Sequence, residues 1–297
     1  MSGSPSPQSP ASFSLQKFNT IVWGIEKLYE IGKRVSIGMQ NRPCDFLTRE
    51  ASTAFAKTMM SILGFLRFVP SSRFRAQEGE FVIDLSSASI MARQVMEDAI
   101  SYLYLSEQNL TQEEKVFREA VWRFHGASES LAAAKFGNVS NPELTPSAEA
   151  DRKRLQEFIE KHPLFAKIES GRKGRIKKGD EGHVLHDSEI LERRGIQTDV
   201  YNLGRKVLSN FAHFSALGHQ IMMQTNSDWR SSWREFLPPA LYAVNFGAEA
   251  IAVFLADSPE AAQLVSSDEK AAVENLRSWL RTSFEPRIVT RPPDLQS

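Results

Sequence analysis

Apolar residues recur three and four positions apart along most of this chain, the spacing that lines one face of an α-helix. Phe18, Ile21, Val22, Ile25, Leu28 and Tyr29 mark the first stripe and predict a helix over 15–39, ended by Asn41, Arg42 and Pro43. Asp45 is placed to cap a second, which carries Phe55, Met59, Met60, Ile62, Leu63 and Leu66 until Pro70 stops it. A connector over 71–83 follows. Its Phe81, Val82 and Ile83 form a short extended piece with no second strand to pair with, so they make no sheet. Asp84 or Ser86 opens a third helix to about 105. Thr111 with Glu114 has the spacing of a capping box for a fourth, ending near 137.

From 138 to 198 the texture turns polar. That stretch predicts a helix over 147–161, a mobile basic loop over 170–182 and a short helix over 188–194 that Gly195 ends. A long helix over 199–223 follows. The next begins near 231, breaks at Pro238-Pro239, and resumes as a buried helix to about 255, with Pro239 in its first turn. Ser267, Glu269 and Lys270 open a final amphipathic helix to about 284. The predicted fold is all-α: a bundle of about eight to ten helices forming one domain over 15–285, with a polar insertion at about 138–198. Residues 1–14 are rich in Ser and Pro and are expected to be disordered, and the tail over 286–297 is expected to be flexible.

Composition narrows the partners. Thirty-six Lys and Arg balance 36 Asp and Glu among 297 residues, so no global field draws the chain to nucleic acid or an acidic membrane. Cys44 is the one cysteine and cannot form an internal disulfide. The N-terminal residues lack the basic and apolar regions of a signal peptide. The apolar stretches at 58–69 and 241–256 are short or interrupted against the ~20 residues of a membrane span. A cytoplasmic protein without a membrane partner is the expectation. No cofactor is expected either: Met59, Met60, Met222 and Met223 sit as core filler, and no Gly-x4-Gly-Lys-Ser/Thr order occurs.

Candidate chemistry gathers in four places. Arg93 and Glu97 share a face of the third helix with Ile90, Ile100 and Tyr104, at the margin of its apolar stripe. Tyr201, Arg205, Ser209 and His213 recur every four residues and drift slowly around their helix, with Leu203, Val207, Phe211 and Phe214 expected on its buried face. A hydroxyl beside an imidazole permits acid/base work, yet no Gly-x-Ser-x-Gly elbow surrounds Ser209, and mid-helix amides are already bonded. The simpler role is a hydrogen-bond network between helices, in which the Arg93/Glu97 face meets Ser209 and His213. Third, Arg172, Lys173, Arg175, Lys177 and Lys178 form a basic run that can meet phosphates through charge, without an interleaved aromatic for base stacking. Fourth, His183 and His186 lie among acidic residues but have no third fixed metal ligand, so no metal site is assigned. His125 is expected at a helix margin.

The Ala92-Arg93-x3-Glu97 helix followed by Tyr201-x3-Arg205-x3-Ser209-x3-His213 resembles an uncharacterised bacterial family of helical domains, over about residues 50–255. The resemblance implies a helical fold and a shared polar centre. A more distant likeness is to the HEPN-type helical domains of bacterial toxin and defence systems. Those that cleave RNA carry Arg, four to six residues, then His. Seven residues separate Arg205 from His213, one helical turn more than that pattern.

The leading expectation is a non-catalytic binding or interaction component of a bacterial stress or defence system, with a protein partner or a second copy of itself. Two alternatives stand beside it. One is a metal-independent ribonuclease or other phosphate-ester enzyme using His213. The other is a nucleic-acid-binding module using the basic loop at 172–178.

Overall fold

A computed structural model of the chain describes residues 14–75, 84–136, 144–212 and 229–278. The extended piece at Phe81–Ile83, the N-terminal stretch up to residue 13, the tail over 286–297 and His213 lie outside them. The regular structure of the described residues is all α-helical or 3-10, with no strand among them. The helices are α1 (Leu15–Gly38), α2 (Phe46–Phe68), α3 (Leu85–Leu105), α4 (Gln112–Phe136), α5 (Leu144–Lys161), α6 (Pro163–Ala166), α7 (Ser170–Lys178), α8 (Asp187–Arg193), α9 (Thr198–Ala212), α10 (Trp229–Asp257), α11 (Pro259–Gln263) and α12 (Ser267–Arg277).

Helix starts are fixed locally, by side-chain oxygens that accept the first free backbone amides. Asp45 accepts from the Thr48 amide at 2.8 Å and Asp84 from the Ser87 amide at 2.8 Å. Thr111 and Glu114 form the expected reciprocal box, with bonds of 2.8 and 3.2 Å. At the last helix the box is made by Ser266 with Glu269.

Three expectations change. The basic segment over 170–182 is no loop for most of its length, because Ser170–Lys178 is helical. Glu169 caps it by accepting from the Gly171 and Arg172 amides, and Gly179 ends it at φ +82, a left-handed conformation that glycine adopts without strain. The break at Pro238-Pro239 is absent, since α10 runs through both prolines. Proline fits helical φ but removes its own amide donor and crowds the carbonyl four residues back, a cost of about 3 kcal/mol. Phe236 and Ala240 are fully buried on either side, so packing holds the helix across the pair.

The third change is the rotation of α9. Its buried residues are Tyr201, Gly204 and Leu208, while Leu203 is 57% exposed. The cause is a close approach at Gly204: a Cβ there would stand 2.2 Å from the Tyr242 ring. The bare glycine lets that ring in, and the helix turns to present it.

The chain divides into two compact units: Met1–Arg42, Ser52–Tyr102 and Gly195–Ser297 in the first, Pro43–Ala51 and Leu103–Arg194 in the second. The first is built on α10, against which α1 and α12 pack. Over Trp233–Asp257, α10 has the length and composition to cross a membrane, but 94% of its most apolar window is buried inside the protein. The second unit packs α4 on α5. Phe117, Val121, Phe124, Leu155, Ile159, Phe165 and Ile176 form its core, with Leu164, Ile168 and Val184 partly buried against it.

Candidate functional site

Within the first unit, α3 and α9 bring three of the four expected polar-centre residues into view. Arg93 Nε donates to Glu97 at 2.8 Å, and its NH1 donates to the Ser209 hydroxyl at 3.2 Å. The Ser209 hydroxyl in turn donates to the Arg205 carbonyl at 2.6 Å, an i−4 bond within its own helix. The Arg93 and Glu97 side chains are 28% and 41% exposed, so this is a surface network. Tyr201 is buried, its ring edge-on to Phe246, and Arg205 is exposed. His213 lies outside the described residues.

The first unit also buries three carboxylates to which the sequence reading gave no role. Glu249, fully buried on α10, is held by Arg277 at 2.8 and 3.2 Å. Glu26 accepts from the Ser72 hydroxyl and the Arg73 amide, and Asp98 from the Ser61 hydroxyl and Gln94. Lys57 reaches Asp98 at 3.1 Å and Arg73 reaches Glu26 at 3.4 Å. Each buried acid meets several donors, which closes it off.

The second unit is different. A cleft of about 340 Å³ opens among α4, α6, α7 and α8. Phe117, Leu164, Ile168, Val184 and Leu185 give it apolar surface, and two nearly buried guanidiniums, Arg118 and Arg172, stand in its wall at 3% and 4% exposure. Arg118 lies over the Tyr104 ring at 4.5 Å, donates to the Tyr104 carbonyl at 3.0 Å and to Glu107 at 2.6 Å. Burial raises the Glu107 pKa, but Arg118 and Arg193 outweigh it and hold the carboxyl below its usual range.

Arg172 is the first residue of the basic run, expected on an exposed loop. Instead, α7 turns it inward together with Ile176, four residues on. Its NH1 donates to the carbonyls of His183, at 2.9 Å, and Leu185, and its NH2 donates to His186 Nδ1 at 2.9 Å. The nearest carboxylate recorded with it, Glu181, stands at 3.6 Å, and Nε is buried with no hydrogen-bond partner. Loss of solvation pulls the Arg172 pKa down, against the attraction of Glu181, Asp187 and Glu189.

Of the other four basic residues, three turn to partners in their own unit. Lys173 donates to the Ala166 carbonyl at 2.8 Å, Arg175 pairs with Glu181 at 3.3 Å and Lys177 with Glu160 at 3.7 Å. Lys178 is exposed.

The histidines have packing roles. His183 packs against the rings of Trp122, at 5.7 Å and 10°, and Tyr104, at 4.6 Å, and desolvation pulls its pKa down to about 4. His125 Nδ1 donates to the Gly179 carbonyl at 2.7 Å, tying α4 to the end of α7. Tyr104 is pushed up to about 12 by burial, and its hydroxyl accepts from the Val184 amide. No group of three or more His, Cys, Asp or Glu is placed to hold a metal among the described residues.

Comparison with protein-family models, curated proteins and solved structures finds no match.

Sequence reasoning passed over Arg118, Glu107, Arg193 and Lys167. One signal pointed to Arg118: it lies inside the helical arc marked by Phe117, Val121 and Phe124, where a charge requires a partner.

Proposed function

We propose that this chain is a binding protein, not a catalyst, and that its second unit receives a small molecule in the cleft. The carrying observation is Arg172, a nearly buried guanidinium in the cleft wall with an unpartnered Nε. Buried polar groups in folded proteins are ordinarily bonded, so a guanidinium that stands in a cavity wall with its bonding incomplete supports a ligand role, although Nε itself is closed to solvent. The cleft volume is near the lower end for small-molecule sites, and its lining joins five apolar side chains to eight charged or polar ones.

A binding role is favoured over ester cleavage by the state of Ser209. Its hydroxyl proton is committed to a backbone carbonyl and its oxygen accepts from Arg93, an arrangement that suits packing. The nucleic-acid reading loses support because Arg172 turns inward and Lys173, Arg175 and Lys177 engage neighbours in their own unit. The more distant likeness to HEPN-type helical domains of bacterial toxin and defence systems is what favours a setting in bacterial stress or defence.

The test is a thermal-shift screen of small molecules against the full chain and an Ile168→Trp variant, which fills the cleft from a partly exposed position. Ligands that raise the melting temperature of the wild type and lose that effect in the variant are the expected result. A screen whose hits all persist in Ile168→Trp rejects the cleft.

A further inference from the structure

The charges around the cleft do not balance pair by pair. Glu107 serves both Arg118, at 2.6 Å, and Arg193, at 2.9 Å. Glu181 serves both Arg172, at 3.6 Å, and Arg175, at 3.3 Å. In direct ion pairs, two carboxylates thus serve four guanidiniums among the described residues, while Asp187 and Glu189 attract Arg172 from farther off.

Three more carboxylates line the cleft, but each is engaged by a helix start. Glu114 accepts from the Thr111 amide and hydroxyl, Glu169 from the Gly171 and Arg172 amides, and Glu189 from the His186 amide at 2.6 Å. A helix N-terminus carries about half a positive charge, so each of these acids divides its field between a backbone dipole and the cleft arginines. Lys167 adds an exposed ammonium to the lining.

The apolar part of the lining is mostly aliphatic: Leu164, Ile168, Val184 and Leu185. Phe117 is its aromatic member, and His162 already stacks on that ring at 4.6 Å and 23°. An aliphatic body therefore suits the surface better than a stacked base. Guanidinium forks match carboxylate and phosphate oxygens.

Resting on the reading of the cleft as a binding site, we propose that its ligand is a small amphipathic anion. An aliphatic body lies on Leu164, Ile168 and Val184, and one carboxylate or phosphate group lies against Arg172 and Arg118. The head completes the shared guanidiniums, and the body takes the apolar wall out of water.

The test is calorimetric titration of the full chain at neutral pH with octanoate, octyl phosphate, octanol and inorganic phosphate. The better of the two amphipathic anions is expected to bind at least about tenfold tighter than octanol and than inorganic phosphate. Whether octanoate or octyl phosphate is the tighter identifies the head group. Arg172→Gln is expected to lose about tenfold for the anion and little for octanol. Because Arg172 also holds the 183–186 backbone, Lys167→Glu serves as a second variant at an exposed position. It is expected to weaken the anion about threefold while leaving the melting temperature unchanged.

Octanol binding as tightly as octanoate, and lost in Ile168→Trp, overturns the anion while keeping the cleft. Inorganic phosphate binding as tightly as octyl phosphate overturns the aliphatic body. Anion affinity unchanged in Lys167→Glu, or no binding by any of the four probes, overturns the proposal.

Discussion

In the first unit the buried charged side chains among the described residues are carboxylates, Glu26, Asp98 and Glu249. In the second they are guanidiniums, Arg118 and Arg172. The carboxylates sit among hydroxyls, amides and cations that meet them from neighbouring segments, and Glu249 has both oxygens on Arg277. The guanidiniums share their acids, lean on backbone carbonyls and border a cleft. A buried ion costs several kcal/mol in desolvation, so it persists only where partners offset that cost. Where the partners are complete, the ion is structural. Where they are shared and a cavity adjoins, the same physics makes the site receptive to an outside ion of opposite sign.

Breaking the most complete set of partners tests this contrast hardest. Glu249→Ala is expected to destabilise the fold by about 3 kcal/mol, since it strands Arg277 against an apolar helix. Arg277 keeps Glu274, at 3.1 Å, which places the loss at the lower end for a broken buried pair. Urea unfolding measures it. A loss below that of Arg118→Met would invert the comparison.

Arg118→Met preserves much of the volume and removes the charge. Glu107 retains Arg193, so the expected loss is about 2 kcal/mol, mainly from the bonds to the Tyr104 carbonyl and Glu107. Urea unfolding again reads it, and a loss below about 0.5 kcal/mol would mean that Arg118 is already poorly held.

A smaller effect is expected from His183. Its pKa falls from 6.5 to about 4 because burial disfavours the cation, with Arg172, His125 and Arg118 adding to this and Asp187 opposing it. Between those values the unfolded chain binds the proton and the folded one does not, so stability falls as pH falls through that window. From pH 6.5 to 5.5 the loss attributable to this group is about 1 kcal/mol. Denaturant midpoints at the two pH values measure it, and His183→Gln should flatten the difference. An unchanged difference in the variant assigns the pH dependence elsewhere.

Glu97→Ala is expected to do least. The Arg93–Glu97 pair is an exposed i,i+4 bridge, worth about 0.5 kcal/mol or less. A melting temperature within about 2 °C of wild type agrees with that. A drop comparable to Glu249→Ala would show that the surface network is as structural as the buried pair.

The sequence by itself determined the longer helices and most of their starts, but not the short ones at Pro163–Ala166, Ser170–Lys178 and Pro259–Gln263. Capping acts within three residues, so Asp45, Asp84 and the Thr111/Glu114 box were legible in order along the chain. The all-α class followed from a periodicity repeated through most of the chain. The Arg93–Ser209 contact was also anticipated, from Arg93 at the margin of its apolar stripe and Ser209 on the polar ribbon of its own helix. Tertiary structure decided what depends on a remote neighbour. Tyr242 set the rotation of α9 by entering at Gly204. Burial on both sides carried α10 through two prolines. The cleft was beyond the sequence for the same reason: its wall joins α4 to segments some fifty to seventy residues later. Only when α7 packs inward does Arg172 leave the basic run and become a buried cation, because the partners that hold it there belong to the 183–186 turn.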